Sequence, residues 1–252
     1  MKRAVGLWSL ALTASLAACA GTTPELAEPP RLVSQPYYET VLVDWAVAYA
    51  EQLDGPLPFD LATSTRAEGI HQVEDGEAAL LVTSGEPPDG WFATPLGSLA
   101  LAVIIHPDNP VRDLELDELL DLYTGRSSSW ESVGGRDVPV QPILPLPGEP
   151  VGDAFRARVL TDARPWPGTL LAPTAAATLE VIMEDEGALG VVPLAAVTPE
   201  VRLLRIGGIL PGDSTVSSGT YPLTVELFAT APLEPGPPLR DFLVWIQSRS
   251  VP

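Results

Sequence analysis

The segment Leu99–Trp130 constrains the fold of this chain more than any other part of the sequence. It opens with an apolar run, Leu99–Ile105, which is long enough for a fully buried strand and too short to cross a membrane. A turn is expected at Pro107–Pro110, because proline fixes φ and Asp and Asn side chains bond their own backbone. A helix is expected over 114–122, where leucines are interspersed with acidic residues, and Gly125 is a suitable C-terminal stop. The segment predicts a strand, a turn and a helix of an α/β protein.

The rest of the chain alternates predicted strands with predicted helices. Strands are expected at 31–34, 58–63, 78–83, 138–143, 188–192, 201–206 and 223–230. Helices are expected at 38–53, 66–73, 152–159, 174–185 and 238–248. Thr174 is the predicted N-cap of its helix. This alternation predicts a mostly parallel open sheet with helices on its faces.

The first 30 residues have the composition of an export signal followed by a linker. Lys2–Arg3 precede a short apolar run, and Leu16–Cys19 resembles a bacterial lipobox. We expect 1–18 to be a lipoprotein signal peptide and Cys19 to be the lipid anchor. Residues 19–30 would be a tether that holds the protein at the extracytoplasmic face of the cell membrane. The alternative is an ordinary cleaved signal with an incidental cysteine.

Composition limits the possible partners and cofactors. The formal net charge is −19, and removal of the predicted signal leaves 12 arginines against 33 acidic residues. Such a surface repels the phosphates of nucleic acids, so we expect no nucleic-acid partner. Cys19 is the only cysteine, which excludes an internal disulfide and a thiolate metal cluster. His71 and His106 have no His or Cys neighbour at ligand spacing, so we expect no metal and no cofactor.

The sequence lacks the common catalytic motifs. It contains no G-x-S-x-G elbow, no Walker loop and no G-x-G-x-x-G after a predicted strand. Acidic residues are abundant, but nothing in the sequence brings two carboxylates together for hydrolysis. We therefore predict that the protein is not an enzyme.

Short motifs between about residue 32 and residue 246 occur in the order seen in phosphate-binding-protein-like solute receptors. The matching stretches are Asn109–Val111, Leu119–Tyr123 with Gly125, Trp130, Val133–Gly135, Asp153–Phe155, Glu186–Gly190 and Gly219–Leu223. The chain therefore resembles this family of solute-binding lipoproteins. The resemblance implies an α/β, type II periplasmic-binding-protein-like fold, in which two α/β lobes are joined by a double crossover hinge and enclose a cleft. Lobe 1 would comprise 31–105 plus 206–252, and lobe 2 would comprise 106–205.

The resemblance also implies a function. A monomeric receptor of this type binds a small anion or small organic solute outside the cytoplasm and delivers it to the permease of an ABC-type importer. The alternative is a non-transport sensory or interaction lipoprotein on the same scaffold, because a fold does not fix a function.

Three of the loops that hold the ligand in the resembled family can be matched here with changes. The first loop is Ser34–Thr40, where Tyr37 and Tyr38 replace small residues and either line the cleft or pack at the start of the helix. In the second loop Thr65 precedes Arg66, which takes the usual serine position. Arg66 is either a clamp for an anionic group or an exposed surface arginine. Ser84 fits the serine form of the third loop.

The fourth loop departs furthest from the family pattern of an arginine followed by Gly-Ser-Gly-Thr. Pro145 occupies the arginine position, Gly148 fits, and Glu149–Val151 replaces Ser-Gly-Thr. Pro150 has no N–H to donate, and Glu149 would repel an anion. Glu149 is either a contact for a cationic or hydroxyl-bearing ligand or an ordinary exposed acid. We expect a degenerate phosphate site with these candidate ligand-binding residues: Tyr37, Tyr38, Thr65, Arg66, Ser84, Gly148 and Glu149.

Overall fold

The computed structural model describes residues 28–249, so Cys19, the predicted signal peptide and most of the predicted tether lie outside the described residues. The strands are β1 (Arg31–Ser34), β2 (Asp60–Thr63), β3 (Leu80–Ser84), β4 (Phe92–Ile105), β5 (Asp113–Leu114), β6 (Gln141–Pro145), β7 (Leu170–Ala172), β8 (Ala188–Pro193), β9 (Arg202–Leu203), β10 (Arg205–Ile206) and β11 (Thr224–Ala231). The α-helices are α1 (Glu39–Leu53), α2 (Arg66–Glu74), α3 (Leu116–Thr124), α4 (Pro150–Phe155), α5 (Ala175–Glu184), α6 (Asp213–Ser217) and α7 (Leu239–Gln247). Across residues 28–249, no helix has the length and apolar character needed to cross a bilayer.

One large sheet runs through the molecule in the order β2-β1-β3-β11-β4-β8-β6-β7, with β9 also paired to β4. Strand β1 is parallel to β2 and β3, and β6 is parallel to β7 and β8. Strands β4 and β11, however, are antiparallel to all their neighbours. The prediction of a mostly parallel sheet is therefore wrong, and the sheet is mixed.

The long strand β4 explains why the sheet is mixed. Its stretch Phe92–Ala100 pairs with β11, and its stretch Leu101–Ile105 pairs with β8. The strand therefore passes straight from one half of the sheet to the other without the helical crossover that parallel neighbours require. We call β1–β3, β11 and the start of β4, with the segments that connect β1 to β4, the first half. The end of β4 and β6–β9, with the segments that connect β6 to β9, are the second half. The predicted lobe boundaries, 31–105 plus 206–252 and 106–205, stay a prediction.

Elements with strong local signals lie close to their predicted positions. Strand β1 has the predicted bounds, and Thr174 caps α5 by accepting a hydrogen bond from the Ala177 N–H at 3.1 Å. Strand β4 begins seven residues before the predicted apolar run. The sequence did not predict this first part of the strand, because Pro95 and Gly97 interrupt the apolar pattern there. A register shift of β11 between Leu227 and Phe228 accommodates this part of β4.

Candidate functional site

A cleft of about 770 Å³ lies between the two halves. The first half contributes Arg66, Ser84, Gly85, Glu86, Pro87, Ser98, Thr224, Val225, Glu226 and Phe228 to its walls. The second half contributes Gly148, Pro150, Asp153, Ala154, Ala157 and Arg158. Sites for small molecules have volumes of roughly 300–1,000 Å³, so the cleft has the size of a small-solute site.

Tyr37 and Tyr38, at the start of α1, lie behind the cleft rather than in its walls. Both side chains are buried, which favours packing over contact with a ligand. The Tyr37 hydroxyl donates to the Ala172 carbonyl at 3.0 Å and lies 3.2 Å from Thr178 Oγ1. The Tyr38 hydroxyl donates to Ser84 Oγ at 2.9 Å. Burial raises the pKa of Tyr37 to about 12 and raises the pKa of Tyr38 also, so both phenols stay neutral. The Tyr38 hydroxyl therefore positions Ser84, and the Tyr37 hydroxyl links the first loop to Ala172 and Thr178 of the second half.

Gln35 is a polar residue of the first loop that the sequence interpretation did not single out. Its side chain is fully buried, and its Oε1 accepts a hydrogen bond from Thr83 Oγ1 at 2.6 Å. Its Nε2 has no hydrogen-bond partner within the described range. The sequence signal that could have identified Gln35 is the position of a glutamine between a predicted buried strand and the start of a predicted helix.

The second loop holds Arg66 at the edge of the cleft. Thr65 caps α2, because its Oγ1 accepts from the Glu68 N–H at 3.3 Å. Gly69 allows α2 to lie close to β3, since a Cβ there would be 2.8 Å from Leu81 Cδ1. Arg66 is half-buried, and its Nη2 donates to the Glu86 carbonyl. Arg66 is therefore a fixed part of the cleft wall rather than a free surface arginine.

The fourth loop holds a buried carboxyl group between two residues that line the cleft, Gly148 and Pro150. Gly148 has a left-handed φ of 84° and lines the cleft. Glu149 follows it with only 5% of its surface exposed, so it is not an ordinary exposed acid. Its Oε2 has no hydrogen-bond partner in the part of the chain that the structure describes. Burial raises the pKa of Glu149 to about 6, and the nearby Asp153 adds to the shift.

Charges of both signs line the cleft. Arg66 and Arg158 are opposed by Glu86, Asp153 and Glu226. The Asp153 carboxylate lies 3.3 Å from Arg156, and Arg158 donates to the Pro222 carbonyl at 3.2 Å.

The sequence interpretation missed Arg158, because the family pattern directed attention to position 145. The available signal was helical spacing, since Ala154, Ala157 and Arg158 share one face of the predicted helix. In residues 28–249, no group of three or more His, Cys, Asp or Glu side chains is arranged to hold a metal.

Comparisons with known proteins identify the family and the fold. The family model described as PBP superfamily domain matches residues 31–250. "Phosphate-binding protein PstS" of Bacillus subtilis (strain 168) is 24% identical over 191 residues, which cover 73% of this chain and 63% of that protein. The chain thus spans less than two thirds of the length of this relative.

Solved structures with the same fold include two proteins of phosphate transport. One, a proposed phosphate ABC transporter substrate-binding protein with bound phosphate from Clostridium perfringens, has a TM-score of 0.76 and 19% identity, with 86% of this chain and 92% of that chain covered. An ABC-type phosphate transport receptor from Vibrio cholerae has a TM-score of 0.64 and 16% identity, with 86% and 93% covered. The predicted type II periplasmic-binding-protein-like fold is confirmed.

Proposed function

This chain belongs to the PBP superfamily, and we propose that it is the extracytoplasmic solute-binding receptor of an ABC-type importer, with a ligand site altered from that of phosphate receptors. The cleft of about 770 Å³ between the two halves carries the proposal. Closure of two halves around a solute excludes water from it and couples binding to a hinge motion. The similar proteins are named as a phosphate-binding protein, a substrate-binding protein of an ABC transporter and a transport receptor. These names support the role of a receptor rather than an enzyme.

The same proposal includes attachment to the membrane through Cys19. The charged pair Lys2–Arg3, the apolar run after it and the small residues before Cys19 support lipidation of the cysteine thiol. A lipid anchor would keep a monomeric receptor close to an ABC permease, its proposed partner. In this proposal, neither ligand binding nor membrane attachment requires a nucleic acid or a cofactor.

The chemistry of two loops supports an altered ligand site. At the fourth loop Pro145 stands where the resembled family has an arginine, and Glu149 and Pro150 stand where it has Ser and Gly. A proline cannot donate a backbone hydrogen bond, and a carboxylate opposes an anion. At the second loop, Nη2 of Arg66 is already used by the Glu86 carbonyl. A dedicated phosphate site needs more donors than these loops supply.

A thermal-shift screen of the purified protein tests the proposal. Oxyanions, organic acids, sugars and amino acids are added in turn, and the shift in unfolding temperature is measured. A cognate ligand at about 100 times its Kd adds about 2.7 kcal/mol to the free energy of unfolding. Ala157 is exposed in the cleft wall, so Ala157→Trp should narrow the cleft, preserve the fold and reduce the shift.

Two outcomes would contradict the receptor proposal. A shift of undiminished size in Ala157→Trp would place the binding site outside the cleft. A panel in which no compound stabilises the wild-type protein would favour the non-transport sensory or interaction lipoprotein.

A further inference from the structure

Three buried side-chain atoms in the first, second and fourth loops lack a hydrogen-bond partner in residues 28–249. They are Gln35 Nε2 in the first loop, Arg66 Nε in the second loop and Glu149 Oε2 in the fourth loop. Buried polar groups in folded proteins are almost always paired with protein or ordered water, so the three unpaired atoms are positions at which a ligand can supply the missing partner. Two of these atoms are donors and one is an acceptor. A complementary ligand therefore offers acceptors to the first half and a donor to the second half.

Glu149 determines what the donor must be. Only 5% of the surface of Glu149 is exposed, and its chain neighbours Gly148 and Pro150 both line the cleft. The Tyr37 and Tyr38 hydroxyls donate their protons to Ala172 and Ser84, so neither satisfies this carboxylate. A buried carboxylate without a partner is costly, and a cationic donor compensates both its charge and its hydrogen bond.

Arg66 determines what the acceptor must be. Its Nη2 is held by the Glu86 carbonyl, which fixes the guanidinium at the cleft wall and leaves Nε available. A guanidinium matches the geometry of a carboxylate, and Gln35 Nε2 adds a neutral donor in the neighbouring loop. The acidic wall residues Asp153 and Glu226 oppose a ligand with several negative charges.

We propose that the cleft binds a small zwitterion, with its carboxylate accepting from Arg66 and Gln35 and its ammonium group donating to Glu149. This inference rests on the proposed receptor function and specifies its substrate class. A multiply charged oxyanion would leave Glu149 uncompensated and face the acidic wall. A neutral polyol would leave both charges without a counter-charge.

Titration calorimetry on the purified protein tests the inference. The probes are the L-α-amino acids, with inorganic phosphate and glucose as controls, at a pH of about 8, where Glu149 is ionised. We expect at least one amino acid to bind, with affinity reduced roughly tenfold or more by Glu149→Gln and by Arg66→Met. Glu180→Gln changes an exposed acid of α5 outside the cleft walls and should keep the wild-type affinity.

The outcomes separate this inference from the receptor function. Binding of phosphate or glucose, with no binding of any amino acid, would overturn the zwitterion and leave a receptor with another ligand. Amino-acid binding that is unchanged in both Glu149→Gln and Arg66→Met would also overturn it. Absence of binding by every probe would overturn the zwitterion, and the wider thermal-shift panel then decides the receptor function separately. If Glu149→Gln does not fold, the half-buried Arg66 still allows the test through Arg66→Met.

Discussion

The Tyr37 hydroxyl donates a hydrogen bond to the backbone carbonyl of Ala172 at 3.0 Å, although the two residues are 135 positions apart. Ala172 ends β7, and Thr178 Oγ1 on α5 lies 3.2 Å from the same hydroxyl. The first loop of the first half is therefore tied directly to the second half. Such a contact is made only when the two halves are close together, so it favours a closed arrangement.

Replacement of Tyr37 by Phe should loosen the contact between the halves. The Ala172 carbonyl would keep its bond from the Leu146 N–H at 3.2 Å, so the variant leaves no stranded acceptor there. We expect a loss of about 1 kcal/mol in the free energy of unfolding and a larger radius of gyration by small-angle X-ray scattering. Tyr38→Phe is the matched control, because its hydroxyl bonds Ser84 within the first half. An identical radius for Tyr37→Phe and the wild type would contradict the prediction.

The sequence predicts best those parts of the fold whose signals are local. Strand β1 and the Thr174 cap follow from a few adjacent residues, and both lie where predicted. The mixed sheet was not predictable in this way, because β11 joins β3 and β4 from the far end of the chain. The beginning of β4 was missed because its Pro95 and Gly97 have low strand propensity, and pairing with β11 overrides that propensity.

The candidate site was predictable only in outline. The resemblance pointed to the loops of Arg66, Ser84 and Gly148, and all three residues line one cleft. It assigned no role to Gln35 or Arg158, because burial and position in the cleft depend on how distant elements pack. The alternatives for Glu149 were separated by its burial, which no local pattern in the sequence determines.

Gly187→Ala should destabilise the second half. A Cβ at this position would be 2.1 Å from the Pro139 carbonyl oxygen, and the Gly187 carbonyl accepts from Trp130 Nε1 at 3.0 Å. Backbone must move to relieve that clash, so we expect a loss of about 1–3 kcal/mol in urea unfolding. Gly212→Ala is the control, since Gly212 has extended backbone and, among the described residues other than its chain neighbours, no heavy atom lies within 4 Å of its Cβ position. Equal unfolding midpoints for the two variants would show that the approach of Pro139 is not restrictive.

Glu149 should make the stability of the ligand-free protein fall as the pH rises. Its folded pKa of about 6 lies above the ordinary value of 4.5, because burial and Asp153 disfavour the charged form. The folded state then binds more protons than the unfolded state between these two values, so the free energy of unfolding decreases as pH rises through that window. The shift corresponds to a loss of about 2 kcal/mol, most of which is reached at pH 6 and which is complete about one pH unit higher.

Unfolding measurements across that pH window test the effect of Glu149. Glu149→Gln should abolish this pH-dependent loss, so the stability of the variant relative to the wild type rises between pH 4.5 and pH 8. Glu180→Gln, at an exposed acid, should follow the wild-type curve. A constant difference between Glu149→Gln and the wild type at all pH values would contradict a raised pKa.

Cys19→Ser should release the protein from membranes. The lipid can attach only to a thiol at this position, since the chain has no other cysteine. We expect radiolabelled palmitate in the wild type, no label in the variant, and a shift of the variant from the membrane fraction to the soluble fraction. Wild-type protein that stays with membranes but carries no label would refute lipidation at Cys19.

Orthophosphate should not bind with the high affinity of a dedicated phosphate receptor. Burial of a multiply charged anion requires several donors to replace its hydration. The fourth loop offers Pro145, Glu149 and Pro150 at the places where the resembled family has donors. Each charged hydrogen bond contributes about 1.5–3 kcal/mol, and about 1.4 kcal/mol corresponds to tenfold in Kd, so loss of three donors costs several orders of magnitude in affinity. In titration calorimetry on phosphate-stripped protein, sub-micromolar binding that Arg66→Ala weakens would contradict this prediction.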